Sequence, residues 1–280
     1  MSPAGGATWQ CGRYRLPLAR PLIMGIVNVT PDSFSDGGRH ADPARAVAHA
    51  RQLLAEGADI LDIGGESSRP GARAVAVADE LARVLPVIEG LADAGVPLSI
   101  DTVKPEVMRQ AIAAGASIVN DIAALQAPGA LAAVAGSEAG VVLMHMRGTP
   151  QTMQDDPHYA DVVGEVGAFL AGRIAAAVAA GIARERIAVD PGFGFGKLLV
   201  HNLALLRHLE RLGECACPIL AGLSRKSMFK GMSALPASER QAASLAGALI
   251  AVQNGAAIVR VHDVAATREA LAVWAAVSSA

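Results

Sequence analysis

The sequence predicts a (β/α)8 barrel, and three observations carry that prediction. Eight short runs rich in Ile, Val and Leu recur along the chain, and a polar residue stands at or near the end of each. A Gly- or Pro-bearing loop and a helix-like stretch follow each run, the order expected of buried parallel strands separated by crossover helices. The length of 280 residues is close to the ~250 typical of one such barrel.

In chain order, the runs are Leu22–Val29 with Asn28, Asp59–Ile63 around Asp62, Leu98–Ile100 before Asp101, and Ser117–Val119 before Asn120. Val141–Met144 before His145, Ile187–Val189 before Asp190, Ile219–Leu223 before Ser224, and Ile258–Val261 before His262 complete the eight. In a parallel barrel all strand C-termini open on one face, so these polar residues are expected to share one active site. Gly57, Gly115 and Gly255 each stop an Ala-rich stretch just before a new run, as a C′ glycine does. In the third helix Pro105 suits a first turn, and Val107, Met108, Ala111 and Ile112 form one apolar stripe. The second helix, near Ala78–Leu91, contains Pro86 and is expected to kink there. Residues 1–20 form an N-terminal extension expected to cap the far end of the barrel, and residues 21–280 form the barrel itself, with no linker dividing it.

Hydrophobic residues make up 52% of the chain but aromatic ones only 3%, so Ala, Val, Leu and Ile must fill the core. A formal net charge of −2 argues against nucleic acid or a membrane surface as partner. Cys11, Cys215 and Cys217 form no legible disulfide framework, and Cys215-x-Cys217 lacks the spacing of a redox or zinc motif. Met1–Leu18 has no apolar segment of a secretory signal. Ala168–Ile182, the longest apolar stretch, carries Arg173 and reads as a barrel helix, so the expected location is the cytoplasm.

Three loops, Thr30–Ala41, Glu66–Val77 and Arg147–Asp156, are long and polar and fall on the expected catalytic face. Asp190-Pro-Gly-Phe-Gly-Phe-Gly-Lys197 is not a phosphate loop, because Pro191 takes the first Gly position and Leu198 follows the Lys. It reads as a carboxylate followed by a flexible loop whose backbone can approach a flat ligand. Ser224-Arg225-Lys226-Ser227 could hold a phosphate or cover an aromatic ring. Arg260 and His262 project together, and the ends of the seventh and eighth strands are the usual phosphate site of this barrel. Asp62, Asp101, Asn120 and Asp190 would converge in the barrel mouth and need donors, from protein cations or from a ligand rich in N–H groups. With only His145 nearby, a zinc site is disfavoured, while Mg2+ held by oxygens and a substrate phosphate stays open.

Gly25-Ile-Val-Asn-Val-Thr-Pro-Asp-Ser-Phe-Ser-Asp-Gly-Gly38 resembles the first signature of the dihydropteroate synthase family of pterin-binding enzymes, and Asp62-Ile-Gly-Gly-Glu-Ser-Ser-Arg-Pro-Gly71 resembles the second. Ser99–Thr102, Val119–Asp121, Met144–Gly148, Asp190–Lys197, Ser224–Ser227 and Arg260–Asp263 continue the match in order, so the resemblance spans residues 21–277. One departure is Ser68, where the family commonly has Thr; the hydroxyl is kept.

The resemblance implies a transferase of folate biosynthesis that joins 6-hydroxymethyl-7,8-dihydropterin diphosphate to 4-aminobenzoate by an SN1-like path. It implies that Asp62, Ser68, Arg69, Asp101, Asn120, Asp190, Lys226, Arg260 and His262 bind the pterin diphosphate, and that Asp101, Lys226, Arg260 and His262 carry the catalysis. It further implies that Phe34, Pro70, Phe195 and Ser227 line the aminobenzoate pocket, where sulfonamides compete, that Asn28 helps hold Mg2+, and that the chain forms a homodimer. The alternatives are a non-catalytic pterin-binding paralogue and a pterin-dependent methyltransferase barrel. The latter has no use for the Ser-Arg-Lys and Arg-x-His groups.

Overall fold

The computed structural model describes residues 7–30, 42–69, 71–232 and 235–279. Strands β1 (Thr8–Cys11) and β2 (Tyr14–Pro17) form an antiparallel hairpin. The barrel strands are β3 (Leu22–Asn28), β4 (Ile60–Gly64), β5 (Leu98–Asp101), β6 (Ile118–Asp121), β7 (Gly140–Met144), β8 (Ile187–Asp190), β9 (Leu220–Ala221) and β10 (Ile258–Val261). The helices that follow them are α1 (Pro43–Glu56), α2 (Val77–Gly90), α3 (Pro105–Ala113), α4 (Ala130–Ala135), α5 (Val162–Ala179), α6 (Leu199–Arg207), α7 (Gln241–Gln253) and α8 (Val264–Ser278). The parallel strands lie in the order β8-β7-β6-β5-β4-β3-β10-β9, and a parallel bridge between Val189 and Ile219 closes the ring. The (β/α)8 barrel is therefore borne out.

Local chemistry sets the boundaries. Asp42 caps α1 by accepting from the Ala44 and Arg45 amides, Pro43 occupies its first turn, and Gly57 ends it at φ 105°. Helix α3 begins at Pro105 and buries Val107, Met108 and Ala111. Asp59, read as part of a strand, instead turns its carboxylate to Arg20 and to the Ile23 amide just below β4. Strand β9 is shorter than the Ile219–Leu223 run, because the chain leaves the sheet at Gly222 to enter the Ser224–Ser227 turn. Helix α5 starts earlier than Ala168. It is long and apolar enough to cross a membrane by length and composition. Its Val163, Val166, Leu170, Ile174 and Ala177 are nevertheless buried against the barrel, and Arg173 donates to the Ala124 and Leu125 carbonyls at 2.8 and 3.0 Å.

Strand alternation separates two cores. Outward residues such as Ile23, Leu61, Ile63, Val119, Val189 and Val259 pack under the helices. Inward residues Met24, Ile60, Ile118, Val142, Ala188, Leu220 and Ile258 fill the lower barrel, joined by Trp9, Cys11 and Leu18 from the hairpin and its exit. Trp9 is wholly buried and satisfies its indole N–H on the Arg186 carbonyl at 2.9 Å. Each Ile, Leu, Val or Met side chain among them contributes about 1.5–3 kcal/mol on burial. This apolar plug, interrupted by the buried Ser99 of β5, fills the lower barrel beneath the charged inward positions.

Candidate active site

At the top of the barrel the inward positions turn polar: Asp62 on β4, Asp101 ending β5, Asn120 on β6, Asp190 ending β8 and Arg260 on β10. Register aligns Gly64 with Asp101 and Asp101 with Asn120, which sets Asp101 and Asn120 side by side at one level of the barrel. Arg260 is the hub. Its Nε donates to Asp62 Oδ2 at 2.6 Å and its Nη2 to Asp101 Oδ2 at 2.7 Å. Asn120 Nδ2 donates to the same Asp62 oxygen at 3.1 Å. Asp62 is wholly buried, so it sits beneath Arg260 and Asn120 and orients both.

The opposite wall is the Asp190–Lys197 loop. Asp190 Oδ1 accepts from the Gly192 amide at 2.7 Å. Lys197, 3% exposed, turns back inside and donates to the Gly192 and Phe195 carbonyls at 2.9 Å. Its Nζ also lies 2.9 Å from His145 Nδ1. A Cβ at Gly192 (φ 67°) would stand 1.9 Å from the His145 carbonyl oxygen, and one at Gly196 (φ 61°) 2.4 Å from that of Arg147. The expected flexible loop is thus a tightly knotted one: its glycines permit backbone to pass against backbone, and one buried lysine ties it. Lys226 Nζ lies 4.1 Å from the Phe195 ring centroid, a cation–π contact at the rim.

The basic pair after β9 divides its work. Arg225, at φ 58°, forks onto Asp263 (Nη2 to Oδ1 2.7 Å, Nε to Oδ2 3.2 Å), and its amide donates to Ser244 Oγ at 2.9 Å. That leaves Lys226 to face the site. Ser224 Oγ lies 2.9 Å from His262 Nδ1 and accepts from the His262 amide at 3.2 Å.

Burial controls the charges. It pushes the Asp101 carboxyl up to about 7, with Arg260 pulling down and Asp62 pushing further up. It raises Asp190 as well, against its bond from Gly192 and the nearby Lys226. Burial lowers Lys226 to about 8 and Lys197 to about 7, with Asp190 opposing both shifts. His262 falls to about 3 through burial and then Arg225, and His145 to about 3 through burial and then Lys197. Both imidazoles are therefore neutral near pH 7. Burial works against the charge on Arg260, but Asp62 and Asp101 hold it above its ordinary value.

Between these walls lies a narrow cleft that opens to solvent. Of the residues expected from the sequence, Ser68, Asp101, Asn120, Asp190, Phe195, Lys226 and Arg260 line it. Asp62 lies below it, His262 stands beside Ser224, and Arg69 and Ser227 are exposed at the rim. Phe34 and Pro70 fall outside the described residues. Sequence reading missed Ile122 and Met144, which face the cleft and pack with Met153 and Phe195. Period-two alternation from Val142 singles out Met144, rather than His145, as the inward residue at that strand end.

Among the described residues no group of three His, Cys, Asp or Glu could hold a metal ion. Asn28, half-buried at the end of β3 beside Gly64, offers one hard amide oxygen. That fits Mg2+, which is commonly bound through one or two protein oxygens plus substrate phosphate and water.

Residues 24–262 match the model of the pterin-binding enzyme family. The dihydropteroate synthase of Neisseria meningitidis serogroup B is 54% identical over 275 residues, covering 96% of each chain. The Xanthomonas albilineans dihydropteroate synthase solved with 4-aminobenzoic acid superposes with a TM-score of 0.92 at 55% identity, covering 98% of this chain and 99% of that one. The Burkholderia cenocepacia dihydropteroate synthase complexed with 7,8-dihydropteroate superposes at 0.90 and 52%, covering 99% and 98%. With nearly the whole chain matched at this identity, the chain belongs to the dihydropteroate synthases of the pterin-binding enzyme family.

Proposed function

We propose the following residue roles for the reaction of this family, which joins 6-hydroxymethyl-7,8-dihydropterin diphosphate to 4-aminobenzoate and releases pyrophosphate and 7,8-dihydropteroate. One observation carries the reading: a guanidinium fixed by Asp62 and Asp101 lines one cleft together with Lys226, Asp190 and Asn120. Asn120 and Asp190 accept from the amino-pyrimidine edge, and Met144, Ile122 and Phe195 press on the ring. Arg260 spends Nε and Nη2 on carboxylates, while Nη1 makes no hydrogen bond among the described residues. Nη1 is therefore turned over to the diphosphate, together with Ser68, Arg69 and His262.

The methylene C–O bond breaks with its electron pair leaving on pyrophosphate. Positive charge then develops on the pterin methylene, where Asp101 in its ionised form stabilises it. The aniline nitrogen attacks with its lone pair and afterwards loses a proton to solvent. Fixed dipoles and charges around the cleft need no reorganisation during this step. Mg2+, held by Asn28 and the diphosphate, would neutralise leaving-group charge. Phe34, Pro70, Phe195 and Ser227 remain the proposed aminobenzoate pocket, and sulfonamides, which mimic that substrate, compete there.

We also propose a homodimer. Leu199, Val200 and Leu203 on α6, Ile250 on α7, and Val273 and Val277 on α8 are exposed apolar side chains on adjoining helices, a face that a second copy would cover. The three free cysteines suit a reducing cytoplasm.

The test is pyrophosphate release measured with each substrate alone and with both. Release should require both, and Asp190→Asn should weaken pterin binding about tenfold or more, since a charged hydrogen-bond partner at a buried site is worth roughly 1.5–3 kcal/mol. Absence of release with both substrates would sink the reading.

A further inference from the structure

An ionic cluster beside the cleft plays no part in the roles above. Lys104 stands between Asp101 and α3, and its Nζ bonds both Glu66 Oε2 and Glu80 Oε2. Glu66 opens the Glu66–Val77 loop, in which Ser68 lines the cleft two residues later. Glu80, on α2, is wholly buried, and its Oε1 has no partner. One cation thus serves two carboxylates, one of which cannot reach water.

The two carboxylates are not equally free to move. Glu80 is fixed by α2, whose Val84, Val87 and Ile88 are buried in the core. Gly65 is pinned as well: a Cβ there would meet Val84 Cγ1 at 2.8 Å, and its carbonyl accepts from Arg83 Nη1 at 2.7 Å. Glu66 is the first loop residue that can yield. Farther along the loop, the Gly71 amide donates to the Pro150 carbonyl at 3.1 Å, and Gln151 Nε2 donates to the Ala72 carbonyl at 3.0 Å. Ser68 therefore lies between two ties, and Lys104 supplies the ionic one. Without Lys104, Glu66 and the buried Glu80 repel each other, and the loop must swing Glu66 towards solvent.

We propose that Lys104 is a positioning residue for the diphosphate half of the site: by anchoring Glu66 it holds Ser68 at the cleft wall. This rests on the reading of Ser68 as a diphosphate contact. Asn120 and Asp190, which would hold the ring, lie on other strands and do not depend on this loop.

The experiment uses the full chain with two probes in calorimetry, inorganic pyrophosphate with Mg2+ and a pterin lacking the diphosphate, alongside steady-state kinetics. Lys104→Met should weaken pyrophosphate binding and raise KM for the pterin diphosphate, each by about tenfold, equivalent to about 1.4 kcal/mol. Affinity for the ring-only pterin should stay within about twofold, and Lys104→Arg should restore pyrophosphate binding. Should Lys104→Met fail to fold, Glu66→Ala leaves Lys104 paired with the buried Glu80 while freeing the loop from its ionic tie, and the same loss is expected. Unchanged pyrophosphate affinity, or an equal loss for both probes, overturns the proposal. Failure of the wild-type chain to bind pyrophosphate overturns the reading of the cleft and this inference with it.

Discussion

Arg260 places Nη2 2.7 Å from Asp101 Oδ2 while the same guanidinium holds the wholly buried Asp62. On the proposed roles, one cation serves stability and leaving-group binding at once. Arg260→Ala should weaken pyrophosphate binding and slow turnover, with little change in affinity for a ring-only pterin. It should also strand Asp62 and cost about 3 kcal/mol of stability, read as a lowered urea midpoint. An unchanged midpoint would show that Asp62 finds another partner.

Activity should be bell-shaped in pH. Asp101, raised to about 7 by burial, must lose its proton to stabilise the methylene cation, so kcat/KM rises through pH about 7. Lys226, lowered to about 8 by burial, loses its charge above that value, so kcat/KM falls. Asp101→Asn should remove the acidic limb. Stability follows the opposite sign on that side: the folded chain holds the Asp101 proton more tightly than the unfolded one. This contribution is full below the ordinary value of 3.8 and is lost as pH rises through about 7. A kcat/KM flat from pH 6 to 9 would contradict both assignments.

Gly192→Ala and Gly172→Ala should part company. At Gly192 the new methyl meets backbone oxygen at 1.9 Å with φ positive, so the loop beneath the pterin must shift, and pterin affinity should collapse. Gly172 is exposed within α5 with nothing near it, and alanine there should add about 0.5–1 kcal/mol of stability. Calorimetric pterin titration and thermal melts of the two variants check the pair.

Lys197→Met should loosen the same loop without touching the ligand. It removes the donor for the Gly192 and Phe195 carbonyls and for His145 Nδ1, and each buried group left unpaired costs about 1–3 kcal/mol. A lower melting temperature together with weaker pterin binding is expected. A normal pterin affinity would show that Asp190 alone fixes the loop.

The strand ends were legible because apolar runs that carry Asp62 and Arg260 within them, or close on Asp101, Asn120, Asp190 and His262, leave little choice of fold or of facing. What escaped is whatever depends on which way a side chain turns once the strand has ended. His145 and Met144 are neighbours in sequence, yet one faces Lys197 and the other the cleft. Arg225 and Lys226 look alike in sequence, but the left-handed backbone at Arg225 sends one to Asp263 and the other to Phe195. The knot in the Asp190–Lys197 loop was invisible because glycines read as freedom, whereas here they permit crowding.

The ring of strands closes at its weakest point between β8 and β9, where the two-residue β9 meets its neighbour through the single bridge Val189–Ile219 and the Val189 amide bond to Pro218. Asp190 and Lys226 flank that seam. A pterin touching both would act as a stitch across it, so a ligand weighing a few hundred daltons would set how often the wall of a 280-residue barrel unzips.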